Sequence, residues 1–194
     1  MLDRPTMPPA DLGKRRLPLE EISMGSVLFR VHQTKFGAKF FGRSAGWRFD
    51  SPGRAFGTLY AATSEEIAFA ETLLRGQHPL VAESDLRVRS FCEFTLLRPV
   101  RLVKLHGPSM ITIGASAAVS AGSYDVSQAW AQALHDHADQ PDGILYRSTR
   151  DNDRVALVLF ERSEAALDAG GTAPILADPV RLGRILDHYG ASLI

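Results

Sequence analysis

Residues 46–71 read GWRFDSPGRAFGTLYAATSEEIAFAE, and the reading of this stretch decides the fold. Its centre, GTLYAA (57–62), alternates: Thr58, Tyr60 and Ala62 share one face, Leu59 and Ala61 the other, as in a short strand. Thr63 and Glu66 follow at capping-box spacing, which predicts a helix start. At about 100° per residue, Ile67, Ala70, Glu71 and Leu74 fall on one arc of that helix. Phe69 lies nearly opposite, so the helix is expected to be covered on two sides. A strand feeding directly into such a helix suits one cleft lined from both elements, with Arg48, Tyr60 and Glu71 as its polar groups.

Upstream, SVLFRVH (26–32) also alternates. Val27, Phe29 and Val31 share one face; Leu28, Arg30 and His32 share the other. Residues 33–56, rich in Gly, Lys, Arg and Phe, read as an irregular loop. Downstream, SFCEFTLL (90–97) and VRLVKL (100–105) are strand-like, and GASAAVSAG (114–122) suits a flexible loop. SQAWAQALHDHA (127–138) reads as a helix with Trp130, Ala133, Leu134 and His137 on one stripe. Pro141-Asp142-Gly143 is a turn signal before the strand GILYRS (143–148), whose Ile144, Tyr146 and Ser148 share a face. RVALVLF (154–160) is continuously apolar, as expected of a central strand. DPVRLGRILDHY (178–189) has Asp at the N-cap and Pro at N1, with a stripe through Leu182, Ile185 and Tyr189. The order is strand-rich and mixed, with about three flanking helices: an α+β fold with a mostly antiparallel core.

The chain has 194 residues, enough for one domain with a substantial core. Residues 1–20 are expected to form a flexible N-terminal tail, and residues 21–194 a single catalytic domain. Lys+Arg and Asp+Glu both total 22, so there is no overall basic charge to draw nucleic acid. The N-terminus carries acids and four prolines without an apolar core, unlike a secretory signal. No run approaches 18 apolar residues, so no membrane span is expected. The one cysteine, Cys92, cannot form an internal disulfide and reads as a small core residue. These features together point to the cytoplasm.

Familiar catalytic motifs are missing. There is no phosphate-binding G-x-x-x-x-G-K-[ST] loop, no G-x-G-x-x-G after a strand, no H-E-x-x-H, no paired C-x-x-C and no G-x-S-x-G elbow. His135 and His137 stand two apart on a helix, where they do not face each other, and read as part of a helix surface. No metal is expected. Three polar residues instead occupy positions where a core residue would serve: Arg30 in a strand, Glu71 on an inner helical arc and Ser148 at a strand end. Each has a structural reading. Arg30 and Glu71 suit a partly buried ion pair, and Ser148 suits a turn cap.

The ordered blocks LFRVH, GWRFDSPG, LYAATSEEIAFAE and DGILYRS resemble the RES-domain toxin family, over most of residues 26–160. GSYDVSQAWA (122–131) is similar to the family's stretch before the D-G-I block. The arginine, glutamate and serine that name the family correspond to Arg30, Glu71 and Ser148. Asp50 departs from the aromatic or Asn-like residue of many members.

The resemblance implies a fold like that of the ADP-ribosyltransferase toxins and NAD⁺ as substrate. It also implies the toxin of a toxin–antitoxin pair, with an Xre-like antitoxin that occludes the active site. The expected site comprises Arg30, Glu71 and Ser148 as catalytic residues, with Arg48, Tyr60 and Tyr146 joining them in binding. The chemistry suits these residue types. Nicotinamide leaves as a neutral molecule, so the demand is to stabilise positive charge on the ribose, which a carboxylate such as Glu71 meets. Glu71 can also take the proton of the attacking group. Arg30 and Arg48 can fork onto the diphosphate, Tyr60 can stack on nicotinamide, and Ser148 can hydrogen-bond ribose or the carboxamide, or orient Glu71.

Water, phosphate or a protein can accept the ADP-ribose, giving hydrolysis, phosphorolysis or mono-ADP-ribosylation. A phosphoribosyl-pyrophosphate synthetase is the protein acceptor that the resemblance suggests. A non-enzymatic binding module and a ribonuclease toxin are the alternatives from other classes. The neutral charge disfavours the ribonuclease.

Overall fold

The structure, a computed structural model, describes residues 7–74, 76 and 78–194. The chain runs through β1 (Leu19–Ile22), β2 (Val27–Gln33), β3 (Thr58–Ala62), α1 (Glu65–Leu73), β4 (Leu80–Val81) and α2 (Glu83–Arg87). It continues with β5 (Arg89–Leu96), β6 (Val100–Leu105), α3 (Ser109–Ile113), α4 (Ala118–Ala121), α5 (Tyr124–His135), β7 (Gly143–Arg147) and β8 (Val155–Phe160). It ends with β9 (Leu167–Pro174), α6 (Pro179–Tyr189) and β10 (Ser192–Leu193). Eight strands form one sheet in the order β1-β6-β7-β8-β3-β2-β5-β9, while β4 and β10 form a small parallel pair. Within the large sheet only β6 and β7 run parallel. The expected α+β architecture is present, and its three long helices are α1, α5 and α6.

Alternation divides the apolar side chains between the two faces of the sheet. Ala156, Val158 and Phe160 of β8 join one core cluster with Ile67 and Phe69 of α1 and Trp130 of α5. Leu157 and Leu159 join the opposite cluster with Leu28, Leu59, Cys92 and Phe94. Both faces of β8 are therefore buried, which is why its sequence is continuously apolar. Gly143 starts β7 where a Cβ would lie 2.1 Å from the carbonyl oxygen of Val158, so no larger residue fits that crossing.

The sheet is not uniformly zipped. β2 matches β5 through seven consecutive pairs, and β3 matches β8 through five. Between β2 and β3 the register holds a single pair, Phe29 with Ala62. The ladder opens there, and backbone groups that would have faced each other are left for side chains to satisfy.

Several expectations are adjusted by local chemistry. The N-cap of α1 is Ser64, not Thr63; its hydroxyl accepts from the Ile67 amide. The two-sided covering of α1 holds, with Ile67, Ala68, Phe69 and Ala70 all buried. The 114–122 segment is not wholly a loose loop: its 118–121 part forms α4, with Val119 and Ser120 buried. α5 begins three residues earlier than expected, and His137 lies beyond its end. His137 accepts from the Asp139 amide at Nδ1 and donates from Nε2 to the Arg15 carbonyl, while His135 stacks on Phe56. The expected N-terminal tail lies partly outside the described residues, at 1–6. Within 7–20 it packs: Leu12 and Leu17 are buried, and β1 pairs with β6. In α6, Asp178 caps the Arg181 amide and Gly190 turns the chain at φ +57°.

Candidate active site

A cleft of about 860 Å³ opens beside the splayed β2–β3 seam. Five of the six expected residues line it: Arg30 from β2, Arg48 from the 42–57 loop, Tyr60 from β3, Glu71 from α1 and Tyr146 from β7. Ser148, just past β7, is fully buried behind Glu71. A volume of this size suits a nucleotide-sized ligand.

Glu71 is held at both oxygens. The Ser148 hydroxyl donates to Oε1 at 2.6 Å, and the Tyr146 hydroxyl donates to Oε2 at 3.3 Å. Ser148 Oγ in turn accepts the Arg150 and Asp151 amides at 3.0 and 3.1 Å, so the same atom caps the turn and orients the carboxylate. The two readings of Ser148, turn cap and Glu71 partner, are therefore both realised. The Tyr146 ring packs against the buried Phe49 ring, with centroids 4.8 Å apart, which fixes the hydroxyl that reaches Glu71.

Arg30 uses its two terminal nitrogens on main-chain carbonyls: Nη1 donates to Tyr60 O at 3.4 Å and Nη2 to Phe40 O at 3.3 Å. The first bond bridges the place where the β2–β3 ladder has opened. Burial draws its pKa down to about 10, so it remains a cation at neutral pH. The expected Arg30–Glu71 ion pair is replaced by these carbonyl contacts as the polar anchor of Arg30. Cys92 sits opposite Arg30 in the sheet register and is buried, as expected of a core residue.

Tyr60 and Arg48 carry structural duties besides lining the cleft. The Tyr60 hydroxyl accepts from the Phe49 amide at 2.8 Å and donates to Asp50 Oδ1 at 3.2 Å. Burial, with the Asp50 carboxylate beside it, pushes this hydroxyl well above its ordinary pKa, so it stays a donor. Arg48 Nη1 donates to Gly122 O at 2.6 Å and to Ser127 Oγ at 3.2 Å, and its guanidinium lies 4.8 Å from the centre of the Tyr124 ring. Arg48 thus ties the 42–57 loop to the start of α5.

Asp50 organises that loop. It is 1% exposed and accepts five hydrogen bonds: from Thr58 Oγ1, Tyr60 Oη, Ser44 Oγ, and the amides of Gly46 and Trp47. Sequence reasoning noticed Asp50 only as a departure. The signal for its role was present: an aspartate three and four residues after main-chain N–H groups can close a turn on itself. His32, Thr149 and Arg150 also line the cleft without having been singled out for it. His32 shares Arg30's face by alternation, so the pattern did contain its position. Arg150 follows the strand end, where periodicity carries no information.

Among the described residues no group of three or more histidine, cysteine or acidic side chains converges as a metal would require, and no helix is long and apolar enough to cross a membrane.

Comparisons with known proteins agree with this picture. A probable toxin of Sinorhizobium fredii (strain NBRC 101917 / NGR234), y4kH, is 26% identical over 121 residues, which are 62% of this chain and 94% of that protein. The fold is shared with a chain in the crystal structure of the M. tuberculosis MbcT–MbcA toxin–antitoxin complex. That likeness has a TM-score of 0.62 at 16% identity and covers 84% of this chain and 92% of that one. The model of the RES domain matches residues 27–178, the span that supplies every strand and loop around the cleft. With that match over most of its length, the chain belongs to the RES-domain family.

Proposed function

We propose that this protein is the toxin of a toxin–antitoxin pair and cleaves the nicotinamide–ribose bond of NAD⁺, by hydrolysis or phosphorolysis. The observation that carries this reading is the Glu71 carboxylate, clamped by Ser148 and Tyr146 inside a cleft that also holds Arg30, Arg48 and Arg150. Membership of the RES-domain family and similarity to a protein named a probable toxin support the toxin role. The complex in which the structural neighbour was solved supports an antitoxin as partner.

In this reading Glu71 faces the ribose as the glycosidic bond lengthens and stabilises its developing positive charge. The bond's electron pair leaves with nicotinamide and neutralises its ring. A water or phosphate oxygen then bonds to the ribose carbon, and its proton passes to Glu71 and on to solvent. Ser148 and Tyr146 hold the carboxylate ready, so little reorganisation is needed at the moment of reaction.

The diphosphate falls to Arg48, which keeps nitrogens beyond the one bonded to Gly122, and to Arg150, exposed in the turn after β7. Assignment of Arg30 to the diphosphate is revised. Two carbonyl oxygens already flank its fork and would repel a second set of anionic oxygens. Tyr60 lines the cleft while its hydroxyl stays with Asp50.

The test is incubation with NAD⁺ labelled in its adenine half. Free ADP-ribose or its phosphate is the expected product. Label retained on a protein would instead assign ADP-ribosyl transfer, and unconsumed NAD⁺ would overturn the reading.

A further inference from the structure

Five buried side-chain nitrogen or oxygen atoms among the described residues lack a hydrogen-bond partner, and three belong to residues lining the cleft: Arg30 Nε, His32 Nε2 and Ser120 Oγ. Unpartnered buried polar atoms are uncommon in folded proteins, and their gathering along one cleft points to a polar ligand that completes them.

Two of these atoms have defined hydrogen-bonding character. His32 is 6% exposed, and its Nδ1 lies 3.0 Å from Gln33 O and 3.1 Å from Phe36 O. Carbonyl oxygens only accept, so Nδ1 carries the hydrogen. Burial, and then the nearby Arg30 cation, lower the His32 pKa and keep the ring neutral. Nε2 is then a bare acceptor. Arg30 Nε is the reverse, an N–H that can only donate. The two residues are neighbours on one face of β2, and each also grips the 34–42 loop, through the carbonyls of Phe36 and Phe40. One partnerless donor and one partnerless acceptor thus belong to residues two apart on β2, both of which line the cleft.

We propose that Arg30 and His32 form a specificity pair for a primary carboxamide, the group that nicotinamide carries: Arg30 Nε donates to its carbonyl oxygen and His32 Nε2 accepts from its NH₂. This assignment rests on the NAD⁺ reading above and deepens it, by saying how the cleft distinguishes the nicotinamide half from related pyridines. A carboxylate in the same place has no hydrogen for His32 and sets two lone pairs against each other. A methyl ketone keeps the acceptor for Arg30 and loses the donor for His32. Either replacement leaves the His32 acceptor buried and unpaired, which is how sites built for a hydrogen bond reject close analogues.

The experiment compares binding of NAD⁺, its 3-acetylpyridine analogue, nicotinic acid adenine dinucleotide and ADP-ribose by calorimetry. Glu71→Gln protein is used so that nothing is consumed, and wild-type turnover of NAD⁺ is measured in parallel. With His32 in place, both analogues are expected to bind at least about tenfold more weakly than NAD⁺. His32→Asn can place an amide N–H toward the Gln33 and Phe36 carbonyls, and its shorter side chain leaves no acceptor at the position of Nε2. In that variant the preference over the acetylpyridine analogue is expected to fall to within about twofold, with ADP-ribose affinity unchanged. Retention of the full preference by His32→Asn overturns the proposal. If that variant does not fold, equal binding of NAD⁺ and the acetylpyridine analogue by the protein with His32 intact overturns it just as directly. Loss of the carboxamide assignment alone leaves NAD⁺ consumption intact. Absence of NAD⁺ consumption together with absence of NAD⁺ and ADP-ribose binding removes the NAD⁺ reading, and this proposal with it.

Discussion

Ser148 Oγ lies 2.6 Å from Glu71 Oε1, joining the residue just past β7 to the last turn of α1 across 77 positions of sequence. The same oxygen accepts the Arg150 and Asp151 amides, so one hydroxyl links the carboxylate to the turn after the strand. Ser148→Ala removes the bond to Glu71 Oε1 and keeps the Tyr146 bond to Oε2. NAD⁺ consumption is expected to fall about 10- to 100-fold through kcat, with about 1 kcal/mol lost from folding stability. Steady-state kinetics and urea unfolding check both. Unchanged kcat would remove Ser148 from the positioning of Glu71.

Glu71→Gln keeps the shape of the side chain and removes its charge. Turnover is expected to drop by about a thousandfold or more, because the stabilisation of ribose charge and the proton acceptor vanish together. The midpoint of thermal unfolding should move little, since Gln can still accept from Ser148. Residual activity within about tenfold of wild type would place the chemistry on another group.

Asp50→Asn tests the loop hub. All five of its partners donate, and an amide turns part of that acceptor set into a donor facing other donors. The expected cost is about 2–3 kcal/mol in equilibrium unfolding, accompanied by a raised KM as Arg48 and Tyr60 lose their support. A loss below about 0.5 kcal/mol would mean the loop is held from elsewhere.

Gly143→Ala places a methyl against the Val158 carbonyl, 2.1 Å away before relaxation. β7 cannot shift without disturbing the parallel β6–β7 ladder, nor β8 without disturbing its pairing with β3. Destabilisation of about 3 kcal/mol or more is expected, read as loss of soluble protein or an early unfolding transition. A variant as stable as wild type would show that the β7–β8 crossing is looser than described.

The pH dependence of stability follows from His32. Burial holds its folded pKa below the unfolded value of 6.5, so the unfolded chain takes up the proton first. The contribution of neutral His32 is complete above pH 6.5 and is lost as pH falls from there toward the folded pKa. Unfolding midpoints of wild type and His32→Asn are therefore expected to converge or cross between pH 8 and pH 5, with wild type the steeper. Parallel curves would show that the ring titrates normally.

Much of the architecture was legible because burial writes a periodic pattern. The alternation in 26–32 and 57–62, the continuous apolar run of β8 and the stripe of α6 all reappear as described strands and helices. Ends were less legible. Thr63 and Ser64 are both plausible caps, and only the backbone geometry selects Ser64. The 114–122 segment misled because small residues serve equally in a loose loop and in a tight buried turn, and composition does not distinguish them.

By itself the sequence determined the α+β order of elements, the family, and the set of polar residues standing where core residues would do. The tertiary structure decided how those residues are used. It joined Glu71 to Ser148 and Tyr146, set Arg30 on the carbonyls of an opened ladder, turned Tyr60 toward Asp50, and left His32 Nε2 buried without a partner. The physical reason is that hydrogen bonds between distant segments depend on atom positions within a few tenths of an ångström, whereas side-chain periodicity records only which face of an element is buried.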